Sequence, residues 1–86
     1  MKKIISPYKD KHGNVICDGD FTRQYVVVDF PKHEHWIYEQ VRFYNNDWYL
    51  FDLNYDYETG IDEPHLLSSH HFEIEVIDKN QIHIIS

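Results

Sequence analysis

Seven histidines in 86 residues are the first side chains in this sequence that could do chemistry. His33-Glu34-His35 sets two imidazoles two residues apart, which extended backbone places on one face. His65, His70 or His71 would add a third ligand from the chain before Phe72, and such a set suits zinc with an open position. Against this, Cys17 is the sole cysteine and nothing in the spacing fixes a ligand geometry. A metal-binding module on His33, His35 and His70 is therefore the alternative reading. The expected state is no metal and no cofactor, with histidines that titrate at about pH 6 to 7.

The segment Asp52–Glu63 carries oxygen ligands at the first, third, fifth and twelfth places of a calcium loop. Its sixth place needs glycine for a sharp turn and holds Tyr57. A Cys17–His pair has the elements of a nucleophile and base, but Cys17 lies in a short apolar run where an inert thiol is expected. Gly13, Gly19 and Gly60 are scattered at turns and form no phosphate loop. No enzyme is expected.

The aromatic residues carry more. Tyr38, Tyr44, Trp48, Tyr49, Tyr55 and Tyr57 crowd one part of the chain, and a small domain cannot bury all fourteen aromatics. Tyr and Trp beside charge are typical of protein-contact surfaces, where they give large rigid area at low entropic cost. From Phe43 to Asp78 there is no Lys or Arg and there are nine acids. The expected partner-binding residues are Asp47, Trp48, Tyr49, Asp52, Tyr55, Asp56, Tyr57, Glu58, Asp62, Glu63, Glu73 and Glu75. The bland counterpart is a solvated acidic face that only keeps the protein soluble.

The elements that must position these residues read as short strands between turns. Residues 8–14 form a turn into a strand at Val15–Cys17, and Asp18-Gly19-Asp20 turns again. Phe21 to Phe30 is a strand with Val26, Val28 and Phe30 on one face, closed by Pro31. Trp36 to Tyr44 alternates, Ile37, Val41 and Phe43 opposing Trp36, Tyr38, Gln40 and Arg42. Asn45-Asn46-Asp47 is a hairpin turn into Trp48–Leu53. A polar loop fills 54–65, Leu66–His71 makes one helical turn, and Phe72–Ile77 follows with Phe72, Ile74 and Val76 inward. Asp78–Gln81 turns the chain into Ile82–Ile85, which closes a second hairpin. The fold class is all-β or β-dominated: a small, partly open antiparallel barrel of five or six strands with a short helical turn at 66–71.

Length bounds this to one domain over 1–86. Composition at 42% hydrophobic and 16% aromatic is too apolar for disorder. Residues 1–14 form a basic arm, four lysines against Asp10 alone, while the whole chain carries −7. That net field repels nucleic acid, so no direct nucleic-acid binding is expected. One cysteine allows no internal disulfide, the apolar start stops at Ser6-Pro7, and no segment is long enough to span a bilayer. A cytoplasmic protein without a membrane partner is expected, of unspecified oligomeric state.

The stretch Asp10-Lys11-His12-Gly13-Asn14-Val15-Ile16-Cys17-Asp18-Gly19-Asp20, preceded by Tyr8-Lys9, resembles the D-K-x-G-x-x-I-x-x-G-D signature of YopX-like phage proteins. Phe72–Ile77 resembles that family's closing strand, and a polar turn with Ile82–Ile85 stands where the family's usual ending would be. The resemblance covers under a third of the chain. It implies a small β-barrel and a phage or mobile-element accessory protein. The expected function is to bind and inhibit a host or defence protein with a basic surface, plausibly a nucleic-acid-handling factor, in the manner of anti-CRISPR or DNA-mimic inhibitors. A self-associating phage component, pairing through strands such as Val26–Phe30, is a further alternative.

Overall fold

The computed structural model describes residues 3–55, 60 and 63–82. Strands dominate it: β1 (Ile5–Lys9), β2 (Val15–Cys17), β3 (Phe21–Asp29), β4 (Lys32–Tyr44), β5 (Asp47–Asp52), β6 (His65–Leu66) and β7 (Glu75–Ile77). One helical turn, α1 (Leu67–His70), and a 3₁₀ turn at Lys79–Gln81 complete the described elements. β1 and β2 form a two-stranded sheet, and the rest form an antiparallel sheet in the order β6-β5-β4-β3-β7. The antiparallel, strand-dominated architecture is the expected one. Among the described residues the sheet stays open, with no closed barrel. None of the described helices is long and apolar enough to cross a membrane.

The β4–β5 hairpin forms because Asn45 and Asn46 accept positive φ (50° and 63°), the two-residue turn whose twist matches paired strands. Its register follows from that turn: Tyr44 faces Asp47, Arg42 faces Tyr49, and Val41 faces Leu50. Alternation then sends Val41, Leu50 and Trp48 to one face, where Ile16, Leu67 and Ile74 cover them and Tyr8 and Val76 pack at the margin. Each such side chain stabilises the fold by about 2 kcal/mol on burial. Trp48, expected on the contact surface, belongs to this core at 8% exposure.

Two carboxylates, Asp10 buried and Asp18 half-buried, fasten the cover to the sheet. Asp10 Oδ1 accepts from the backbone N–H of His12 and Asn14 (2.9 and 2.8 Å), and its Oδ2 accepts from Val76 N–H (2.9 Å). Burial pulls the Asp10 pKa up, but the hydrogen bonds, Val76 foremost, outweigh it and hold the group below its usual value. Asp18 Oδ1 accepts from Phe43 N–H (2.8 Å), tying the turn before β3 to β4. Gly19, at φ 88°, supplies the left-handed residue of that turn.

Several boundaries differ from expectation. Within the expected basic arm Ile5–Lys9 is β1, and Lys3 Nζ lies 3.7 Å from Asp20. The chain resumes as strand at Lys32, directly after Pro31. Phe72 is 59% exposed because β7 begins only at Glu75, leaving Phe72 in the turn after α1, where strand alternation does not apply. Ile82 caps the 3₁₀ turn in extended conformation. The rest of the expected 82–85 strand lies outside the described residues.

Candidate functional site

The face of the sheet turned away from the core carries the aromatic residues of the β4–β5 hairpin. Tyr44, Tyr49 and Phe51 share it, because Tyr44↔Asp47, Arg42↔Tyr49 and Gln40↔Phe51 are register pairs of one parity. With Glu63 and Pro64 from the segment before β6, these rings line a concave depression of about 370 Å³. A smaller neighbouring hollow is lined by Asp18, Arg42, Phe43, Tyr44 and Phe51. Tyr44 is exposed, Tyr49 and Phe51 are half-buried, and Glu63 is exposed at the rim. Aromatic faces beside a carboxylate form a site for a cation on an apolar stem, an Arg or Lys side chain, held by ring quadrupoles and charge together.

The expected contact residues do not form one surface. Tyr49 and Glu63 meet at the depression, and Asp47, opposite Tyr44, is exposed with its Oδ1 accepting from Trp48 N–H (2.8 Å). Asp52 lies on the opposite parity, across from Glu39, with its Oδ1 accepting from Asn54 N–H (2.8 Å), and Tyr55 follows it half-buried. Glu73 is exposed beside His70, 3.1 Å from Nδ1. Glu75 is held by Arg23 and by His12 Nε2 (3.0 Å), and these partners, the Arg23 hydrogen bond first, lower its pKa against the opposing effect of burial. It is an internal ion pair, so it offers little charge to a partner. Asp56, Tyr57, Glu58 and Asp62 lie outside the described residues.

Four of the histidines form two ring pairs, while His12 lies against Glu75 and His71 against the Lys9 carbonyl. His33 and His35 stack on the β3–β4 hairpin with ring centroids 5.3 Å apart, His33 Nδ1 donating to the Pro31 carbonyl (2.9 Å). His70, in α1, meets His65, in β6, edge to face at 5.0 Å. Among the described residues no three His, Cys, Asp or Glu side chains gather to hold a metal.

Two features were missed in the sequence. Phe51 and Pro64 line the depression with Tyr44 and Tyr49, and the hairpin register implied by Asn45-Asn46 was the signal that groups Phe51 with these two tyrosines. Glu39 is the other. It occupies an inward position between Ile37 and Val41 and is 1% exposed. Burial, with Asp52 and Glu73 nearby, pushes its pKa up to about 7, against the lowering effects of a hydrogen bond from Gln24 Nε2 (2.9 Å) and of His70. A carboxylate inside an apolar alternation reads as an interruption, and its burial depends on the cover above it.

No protein-family model, curated protein or solved structure matches this chain.

Proposed function

We propose that this chain is a small acidic binding protein that docks on a basic protein surface through the depression formed by Tyr44, Tyr49 and Phe51. The observation that carries the reading is three aromatic residues and Glu63 around one concavity, on a chain of net charge −7. An Arg or Lys of the partner enters the depression, its charged head over the rings and beside Glu63. Asp47, with Asp56, Glu58 and Asp62 of the neighbouring acidic segment, extends the negative field that draws the partner in. A basic surface of this kind is what nucleic-acid-handling proteins present, so the partner is a host or defence factor whose groove is occupied in place of nucleic acid. The resemblance of residues 10–20 to YopX-like phage proteins supports a mobile-element origin for such an inhibitor.

The test is capture of partners from a bacterial lysate by the full chain, washed at rising salt, beside Glu63→Lys and Tyr49→Ala variants. The expected result is a nucleic-acid-binding protein retained at low salt, released at high salt and lost with both variants. A partner that both variants retain equally, or that high salt does not release, contradicts the reading.

A further inference from the structure

β3 and β4 pair over nine register positions, from Phe21↔Gln40 to Asp29↔Lys32. Their outer neighbours stop early. β7 covers β3 only from Phe21 to Arg23, and β5 covers β4 only from Glu39 to Tyr44. Among the described residues, 24–37 is thus a two-stranded ribbon with no third strand alongside, Leu53 N–H closing the β4 edge at the Tyr38 carbonyl (2.9 Å). Such a ribbon alone is marginal in water, and a third strand is the usual remedy.

The two edges differ. On β4 the outer residues open with Lys32, His33, Glu34 and His35, a polar run of the kind that keeps an edge from pairing, and go on to Trp36 and Ile37. On β3 they are Gln24, Tyr25, Val26, Val27, Val28 and Asp29, with one charge, at the end of the strand, and no proline, glycine or register shift. Val27 is 53% exposed and Phe30, at the tip, 95%. Among the described residues no strand lies on this edge beyond Arg23, and its sequence favours pairing.

We infer that the β3 edge pairs antiparallel with the same edge of a second copy, about a two-fold axis at Val27. Three observations select a copy of this chain as the occupant. First, the stretch of β3 beyond β7, Gln24 to Asp29 with Phe30 turning at the tip, has Val27 at its middle, so a two-fold there uses its whole length. Second, residues facing each other across an antiparallel pair must share a face, which requires pairing partners of equal parity. An axis at Val27 meets this: Val26 faces Val28 of the copy, and Tyr25 faces Asp29. Third, charge allows it. Arg23 and Lys32 balance Asp29 and Glu34 within 21–37, so the formal −7 resides outside the ribbon and two acidic bodies are held apart by neutral arms. The product is a four-stranded sheet in the order β4-β3-β3-β4, with an isologous interface.

Sedimentation of the full chain over a concentration series is expected to show a species of twice 10.5 kDa, favoured by added salt because salt screens the acidic bodies. That salt response is opposite to the one expected for partner capture. V27K sets two ammonium groups face to face at the axis and is expected to be monomeric. Val27→Cys in a Cys17→Ser chain is expected to give a reducible cross-linked dimer with oxidised glutathione, while Glu34→Cys in the same background does not. Sedimentation at 10.5 kDa throughout, a dimer that survives V27K, or equal cross-linking at both cysteines overturns the inference.

Discussion

Strands β3 and β4 are each two different environments. Near their junction with β5 and β7 they bury Thr22, Glu39 and Val41, while beyond Gln24 and Ile37 the same two strands leave Tyr25, Val27 and Trp36 exposed. Along β3 the residue types barely change, valine and tyrosine continuing to its end. What changes is whether a third strand lies alongside and whether β1, β2 and α1 lie above. Pairing makes a strand, and only covering makes a core. The sharpest test compares truncations of large side chains in the two environments. Leu50→Ala, in the covered part, is expected to cost about 3 to 4 kcal/mol in urea unfolding, from lost burial and the cavity left. Phe30→Ala, at the ribbon tip, is expected to change stability by less than about 0.5 kcal/mol despite losing a larger group. Equal losses would mean that the ribbon folds back on the body in solution.

The base of the ribbon holds the next largest effect. Glu39 is buried there with Gln24 from β3, Asp52 from β5, and His70 and Glu73 around α1. Its folded-state pKa of about 7 lies above the usual 4.5, so the native state binds the extra proton between those values. Stability from this group is therefore full below about pH 4.5 and falls as pH rises to about 7, by about 3 kcal/mol in all. Glu39→Gln removes the term. Wild type should gain stability relative to the variant as pH is lowered from about 8 to about 5, measured by denaturant midpoints with both chains side by side. A pH-independent difference between them would show that Glu39 is already solvated, and that the covered region ends short of the ribbon base.

How much of this was legible follows from the same contrast. The β4–β5 hairpin was readable because Asn45-Asn46 and clean alternation agree. The short α1 turn and β2 were readable from their apolar residues between turn signals. β1 was not, since Pro7 and Lys9 within it lack a strand signature. The first residues of β4 were not, because Lys32 to His35 are exposed and carry no inward and outward pattern. At the site, chain proximity grouped Trp48 with Tyr49, whereas side-chain parity sends one to the core and the other to the depression. Composition locates the acidic and aromatic residues. Only register says which of them stand together.

The smallest expected effect lies at the boundary between the two environments. Thr22 faces Glu39 across the β3–β4 pair and is fully buried, and its Oγ1 has no hydrogen-bond partner among the described residues. A buried hydroxyl without a partner loses its water and gains nothing in return, a cost of about 1 to 3 kcal/mol. Thr22→Val keeps the β-branched shape that suits this strand and removes the stranded oxygen. The expected outcome is a gain of about 1 kcal/mol, read as a higher urea midpoint with an unchanged slope. The gain should be largest below about pH 7, where Glu39 is neutral and a hydroxyl beside it has no charge to stabilise. If Thr22→Val instead destabilises the chain, and does so more as pH rises, the hydroxyl donates to the ionised Glu39, and the ribbon base is a polar joint set into the sheet rather than the last row of its core.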